Sequence, residues 1–254
     1  MKIFGLLAHP VSHSRSPELY RAWFTESGLL GARFDVFDVE PEGLSEFMQR
    51  VRNDKISGLA VSIPHKESVM KFLDEIDEVA EEIGAVNTIG WERKKLKGWN
   101  TDWIGVRESF KEAGVVVRGK RVLVLGAGGA ARAVVYALMC GGAQVVITNR
   151  TFDSAEDLAS TFRCSFVHWD DRETVQAEVV VNATSVGLDE PNESPVSAEF
   201  WKGREAGFDL VYEPKMTKFL REAQKAGVKI ISGDRMLFLQ GKEQFKLVTG
   251  KKLT

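Results

Sequence analysis

Cysteine is scarce in this chain of 254 residues: Cys140 and Cys164 stand far apart, with no Cys-x-x-Cys or Cys/His spacing. Such a pair makes neither a disulfide framework nor a thiolate metal site. Both are expected to be buried small apolar residues in a reducing compartment. The four histidines, His9, His13, His65 and His168, share no metal-ligand spacing, so no metal is expected and each is read as a packing or hydrogen-bonding residue. No apolar run approaches the ~18 residues that cross a bilayer. Met1–Ala8 meets His9-Pro10 too soon for a signal-peptide core. An excess of one charge is missing too: 34 basic against 36 acidic residues leave a net charge of −2, without a basic stripe or a charged block. Nucleic acid and membrane are therefore not expected as partners. The expectation is a cytoplasmic protein, monomer or homodimer, acting on a small molecule.

What is present is enough apolar residue, 44%, to build a core. A chain of this length buries about three quarters of its unfolded surface. Short β-branched runs alternate with helical segments, the pattern of an α/β protein. Lys2–Leu7, Phe34–Asp38 and Gly58–Ile63 read as strands, with helices over Pro17–Ser27 and Gly43–Asp54 between them. Val86–Trp91 and Leu96–Trp99 flank Glu92–Lys95, a charged hairpin tip. After Gly119 a second unit begins. Strands are expected at Arg121–Leu125, Gln144–Thr148, Ser165–Trp169, Glu178–Asn182, Gly207–Leu210 and Lys229–Ile231, with helices at Thr217–Ala226 and Arg235–Thr249. That reads as a doubly wound, Rossmann-like parallel sheet. The expected domains are 1–103, completed by 234–254, and 104–233, joined through a helix over Trp103–Ala113, with a ligand cleft between them.

Gly126-Ala127-Gly128-Gly129-Ala130-Ala131 follows a strand and opens a helix, the setting in which G-x-G-x-x-A binds a dinucleotide. Gly126 permits the tight turn, Gly128 lets a pyrophosphate approach the backbone, and Ala131 lets helix and strand pack closely. The next strand ends at Thr148 and continues as Asn149-Arg150-Thr151, without the carboxylate that grips an NAD ribose. Arg150 offers a permanently charged planar fork suited to a 2′-phosphate. The expected cofactor is NADP.

Three polar clusters in the first unit remain. Ser12-His13-Ser14-Arg15-Ser16-Pro17 sits at a strand-to-helix junction, where Ser16 suits an N-cap and Ser14 is left over. Ser62-Ile63-Pro64-His65-Lys66 ends the third strand and puts Lys66 at a sheet edge where α/β proteins bind ligands. Asn100-Thr101-Asp102 precedes a helix and reads equally well as a capping sequence. Taken in order, Ser14–Pro17, Pro64–Lys66, Gly84-Ala85-Val86-Asn87-Thr88, Asn100–Asp102, Gly126–Ala131, Asn149–Thr151, Asn182-Ala183-Thr184-Ser185-Val186-Gly187, Asp209-Leu210-Val211-Tyr212 and Met236-Leu237 with Gln240 resemble the motifs of shikimate dehydrogenases along almost the whole chain.

The resemblance implies NADPH-dependent, reversible reduction of 3-dehydroshikimate to shikimate, in the biosynthesis of chorismate and the aromatic amino acids. It implies that Ser14 and Ser16 hold the substrate carboxylate near Tyr212, and that Ser62, Asn87 and Gln240 meet the ring hydroxyls. Lys66 and Asp102 become the catalytic pair. Thr184, Ser185, Leu210 and Gly233 line the nicotinamide end, and the last helix folds back on the first domain. Lys66 as an ammonium polarises the ketone and donates the proton; Asp102 orients it and accepts from a neighbouring hydroxyl.

Three positions depart from the family pattern. Ala60 replaces an asparagine before Ser62, Ser154 stands where a second basic residue is common after Asn149–Thr151, and Arg235 replaces a glycine near the nicotinamide. A moderate NADP preference follows from the second. The rival readings are a quinate or dual quinate/shikimate dehydrogenase, a binding module for NADP or shikimate without turnover, and an interaction protein on a Rossmann scaffold.

Overall fold

The computed structural model describes residues 1–11 and 14–253. Ser12 and His13, the first two positions of the Ser12–Pro17 motif, lie outside the described residues, as does Thr254. The chain forms two compact units, Met1–Thr101 with Gln240–Thr254 and Asp102–Leu239. The boundaries expected from the sequence are 103/104 and 233/234.

The first unit runs β1 (Lys2–Ala8), α1 (Ser16–Glu26), β2 (Ala32–Asp38), a 3₁₀ turn into α2 (Leu44–Asn53), β3 (Gly58–Val61), α3 (His65–Ser68), β4 (Glu75–Ile76), α4 (Glu78–Ile83), β5 (Thr88–Glu92) and β6 (Lys95–Trp99). The sheet order is β2-β1-β3-β5-β6-β4. β1 lies parallel to both β2 and β3, while β5 turns antiparallel to β3 and β6. Alternation along β1 divides the core. Leu7 joins Leu44, Phe47, Met48 and Val51 of α2 on one face. Phe4 stacks toward Phe24 of α1 on the other. The β5–β6 turn is two residues, Arg93 and Lys94, both at positive φ and both exposed, so the charged tip is solvated as expected.

The second unit continues α5 (Asp102–Glu112), β7 (Arg121–Leu125), α6 (Gly129–Cys140), β8 (Gln144–Thr148), α7 (Phe152–Phe162), β9 (Ser165–Phe166), β10 (Val179–Asn182), β11 (Ala206–Asp209), α8 (Lys218–Lys225), β12 (Lys229–Ser232) and α9 (Gly233–Thr249). All its strands are parallel, in the order β12-β11-β10-β7-β8-β9. This is the doubly wound dinucleotide-binding order, reversing between β7 and β10. Both faces are covered. Val122 and Val124 enter one core with α6 and α7, and Leu123 and Leu125 enter the other with Trp201, Phe219 and Leu220. Parallel strands buried on both faces read as continuous apolar runs, which explains why β7 and β8 have the bounds the sequence suggested.

The boundary between units falls within α9. From Gln240 onward this helix packs in the first unit, where Phe245 meets Tyr20, Trp23 and Phe24 of α1. One expectation fails: Cys140, at the last turn of α6, is exposed, because the apolar stripe of that helix ends at Leu138. Cys164 is half-buried, and burial pushes its thiol up to about 11. No helix among the described residues is long and apolar enough to cross a membrane.

Candidate active site

The turn after β7 is closed by contact with a neighbouring strand end. Gly126 sits at φ +111° and donates its N–H to the Thr148 carbonyl at 2.8 Å. A Cβ there would stand 2.9 Å from the Ala183 carbonyl beyond β10. Two residues on, Gly128 is extended and exposed, and an added Cβ meets nothing within 4 Å. That open space precedes α6, whose first turn holds no acid. Like any helix start, it offers N–H groups without intrahelical acceptors. A pyrophosphate fits there on charge, donors and room. Ala131 is fully buried, the close-packing position; Ala127, Gly129 and Ala130 are half-buried.

At the end of β8, Asn149 Nδ2 donates to the Thr151 carbonyl at 3.1 Å and draws the turn in ahead of α7. Arg150 is exposed and pairs with no carboxylate among the described residues, so neither Asp153 nor Glu156 takes it up. Its guanidinium is therefore available to an anion.

The ends of β10 and β11 are joined by buried side chains, Asn182 and Asp209, to which the sequence reading gave no role although both stand in its motifs. Asp209 Oδ1 accepts from Asn182 Nδ2 at 2.9 Å and from the Val211 N–H at 3.0 Å, and Oδ2 accepts from Thr217 Oγ1 at 2.6 Å. Asn182 Oδ1 in turn accepts from the Thr184 N–H and hydroxyl at 3.1 and 2.6 Å. Burial pushes the Asp209 carboxyl up to about 7 against the pull of its three donors. Ser185 is exposed and Leu210 half-buried beside this network. At Gly233 a Cβ would collide with the Leu210 carbonyl, so packing of the α9 start on the end of β11 already demands glycine. Arg235, which stands where the family has glycine, turns to α5: its Nε and Nη2 donate to Glu112 at 2.6 and 2.8 Å, and the guanidinium lies over Phe238.

In the first unit the support of the helix start expected of Ser16 comes from Ser14 instead. α1 begins at Ser16 with Pro17 in its first turn, and Ser14 Oγ accepts from the Ser16 N–H at 3.2 Å. Ser14 thus serves the helix start, and the Ser16 side chain makes no capping bond. Ser62, just past β3, hydrogen-bonds through its backbone to Leu7 and His65. Lys66 lies in α3 and its carbonyl accepts from the Val86 N–H at 2.8 Å, which ties the lysine turn to the strand entering Asn87. His65 is fully buried, with Nε2 2.6 Å from the Val39 carbonyl. His9 meets Asp38 at 2.7 Å and His168 stacks on Phe152.

Asn87 is held on every side. Its Oδ1 accepts from the Thr101 N–H at 2.8 Å and Thr88 Oγ1 at 2.7 Å, and its Nδ2 donates to Thr101 Oγ1 at 2.9 Å and Gln240 Oε1 at 3.1 Å. One turn further along α9, Gln244 donates to the Asn87 carbonyl and Thr88 Oγ1, and accepts from the buried Tyr20 hydroxyl at 3.1 Å. Burial also raises the Tyr20 phenol above its ordinary range. The sequence reading missed Thr88, Gln244 and Tyr20 as supports. The four-residue step from Gln240 to Gln244 was the available signal. Ser14, Ser16, Ser62, Lys66, Asn87 and Gln240 all belong to the first unit. The second holds Asp102, buried at the start of α5, Tyr212 and the glycine turn.

A Rossmann sheet with an open glycine turn and an available guanidinium, in one chain with a mixed sheet carrying a lysine and buried amides, defines the class of two-unit dinucleotide-dependent dehydrogenases. The comparisons specify it. Residues 6–89 match the model of the shikimate dehydrogenase substrate binding domain, and residues 108–191 match that of shikimate / quinate 5-dehydrogenase. The shikimate dehydrogenase (NADP(+)) of Maridesulfovibrio salexigens is 42% identical over 255 residues, 99% of this chain and 93% of its own. Among solved structures, the shikimate dehydrogenase of Aquifex aeolicus has 38% identity and a TM-score of 0.93, covering 100% of this chain and 94% of its own. That of Thermus thermophilus, in complex with NADP(H) and shikimate, has 40% identity and a TM-score of 0.90, covering 100% and 95%. The chain belongs to the shikimate dehydrogenase family.

Proposed function

We infer that this protein is an NADP-dependent shikimate dehydrogenase that reduces 3-dehydroshikimate to shikimate, reversibly, in the biosynthesis of chorismate and the aromatic amino acids. The observation that carries the cofactor choice is Arg150, exposed at the end of β8 where an NAD enzyme keeps an acid. The glycine turn, the α6 N-terminus and Asn149–Thr151 would hold the cofactor, which as NADPH would supply the hydride and leave as NADP. Thr184, Ser185, Leu210 and Gly233 are the residues we assign to its nicotinamide end.

The chain's own chemistry is proton transfer and substrate orientation. Lys66, half-buried in the turn after β3, donates the proton that the reduced carbonyl oxygen needs and stabilises its developing negative charge. Asp102 accepts a hydrogen bond from a substrate hydroxyl and orients the ammonium. Ser16, Ser14 and Tyr212 take the substrate carboxylate, and Ser62, Asn87 and Gln240 the ring hydroxyls. The fixed Asn87–Thr101–Gln240 cluster supports this, since pre-oriented amides lose little entropy on binding. The names of the relatives favour shikimate over quinate. Two free thiols, one of them exposed, support a reducing cytoplasmic location.

The deciding assay follows nicotinamide absorbance with shikimate or quinate and NADP or NAD. Turnover greatest with shikimate and NADP is expected. Preference for quinate would move the function to the rival dehydrogenase, and cofactor binding without turnover on any pair would make the chain a binding module.

A further inference from the structure

Among the described residues, the buried carboxylate that the proposed chemistry leaves unused is Asp209, at the C-terminal end of β11 and fully shielded from solvent. Its partners come from three separate segments: Asn182 at the end of β10, Val211 in the following loop, and Thr217 at the start of α8. Each partner extends the reach. Asn182 holds Thr184 through two hydrogen bonds and donates to the Val186 carbonyl, so the 183–187 loop is fixed from one side. Thr217 Oγ1 accepts from the Leu220 N–H and caps α8, so the loop 210–217 is fixed from the other. We propose that Asp209 is a positioning residue whose carboxylate clamps these two loops together, and through them sets Thr184 and Leu210 for hydride transfer. The proposal rests on the reading that those loops face the nicotinamide.

The donor pattern gives the clamp a definite protonation chemistry. Val211 N–H and Asn182 Nδ2 can only donate, so Oδ1 must accept from both in every state. A proton on Asp209 can sit only on Oδ2, donating to Thr217 Oγ1, and this displaces the hydrogen by which Thr217 now holds the carboxylate. Both forms therefore make three loop-binding hydrogen bonds, but only in the ionised form are all three charge-assisted and so the stronger. Of the charged groups on the flanking segments, Glu213 is exposed and the lysines pair with other carboxylates. Lys215 pairs with Asp234, which also bonds Ser232 of the adjoining strand end, and Lys218 of α8 pairs with Glu222. All three partners of Asp209 are neutral. The burial that raises its carboxyl to about 7 puts the exchange near neutral pH.

Asp209→Asn mimics the neutral form, with Nδ2 donating where the protonated oxygen would. Thr217→Val removes the Oδ2 partner and keeps the shape, and Thr217→Ser restores it. Steady-state kinetics with shikimate and NADP are measured from about pH 5.5 to about pH 9, with NADP binding followed by protein fluorescence. Asp209→Asn and Thr217→Val are expected to lower kcat about tenfold or more and to raise the NADP Kd severalfold, with the shikimate KM little changed. Asp209→Asn is further expected to lose the wild-type inflection near pH 7, and Thr217→Ser to recover activity. Variants that match wild-type kcat, NADP Kd and pH profile overturn the clamp. So does a loss shared equally by cofactor and shikimate parameters, the mark of a merely structural role. Wild-type protein without turnover would count against the function instead, and the NADP titration of wild type and Asp209→Asn would still decide the clamp.

Discussion

Gly126 and Gly128 stand two residues apart in one turn, yet an added methyl group meets opposite fates there. At Gly126 the left-handed φ and the Ala183 carbonyl both resist it. Gly126→Ala should cost about 2 kcal/mol or more, a fall of about 2–4 °C in Tm per kcal/mol at this size. At Gly128 the backbone suits any residue and the space is open. Gly128→Ala should cost no more than about 1 kcal/mol as a weaker N-cap, while its methyl occupies the room left for pyrophosphate. Thermal unfolding beside an NADP titration separates the two. Wild-type NADP affinity in Gly128→Ala would remove the glycine turn from the cofactor site. Arg150 makes a second distinction at this scale. A charge-assisted bond contributes about 1.5–3 kcal/mol, so Arg150→Ala should raise the NADP KM about 10- to 100-fold and leave the NAD KM nearly unchanged. Equal changes for both cofactors would mean that Arg150 does not read the 2′-phosphate. Arg235 belongs to neither group, since its bidentate bond to Glu112 directs it to α5.

Among the elements, α9 joins packing to the candidate substrate site. Its Phe245 is fully buried among Tyr20, Trp23 and Phe24, and its Gln240 and Gln244 hold Asn87 and Thr88. Phe245→Ala should cost about 3–5 kcal/mol and raise the shikimate KM more than the NADP KM, because the amides ride on the displaced helix. A variant with lowered Tm but an unchanged shikimate KM would show that the packing and the amides are independent. The helix itself was legible in the sequence, as were β7 and β8, whose burial on both faces leaves uninterrupted β-branched runs. The glycine turn and Arg150 were legible because their chemistry is local. α3, β4 and α4 were not, since four, two and six residues are too few to show a period, and α4 is mostly glutamate and apolar residues without a stop signal until Gly84. That Ser14 and not Ser16 supports the start of α1 turned on which hydroxyl faced a backbone N–H, a matter of two positions. The clamp at Asp209 was invisible for a different reason: Asn182 and Asp209 are 27 residues apart and meet only because β10 and β11 pair in register.

For the molecule as a whole, carboxylates divide by the sign of their linkage to folding. Asp74 and Glu112 are held below the ordinary range, mainly by side-chain bonds to Arg52 and Arg235. Their contribution is present above the unfolded pKa and is lost as pH falls through the folded one. Asp209 runs the other way. Its carboxyl is raised by burial from 3.8 to about 7, so its contribution is complete below the unfolded value and is lost as pH rises toward 7, then stays level. The neutral mimic Asp209→Asn lacks that loss. It should match wild type in stability near pH 4 and exceed it at pH 8 by an amount on the order of a few kcal/mol. Chemical denaturation of both proteins across that range measures the difference directly. A variant less stable than wild type at pH 8 would mean that the three donors outweigh burial and that the carboxyl titrates near its ordinary value. The expected outcome carries a further consequence, because the same substitution is expected to slow turnover. A carboxylate that weakens the fold above pH 7 yet holds the loops for hydride transfer would be retained for activity, the trade-off common where function needs a buried charge. Stability and kcat moving in opposite directions in one variant would separate that cause from ordinary packing, where both fall together.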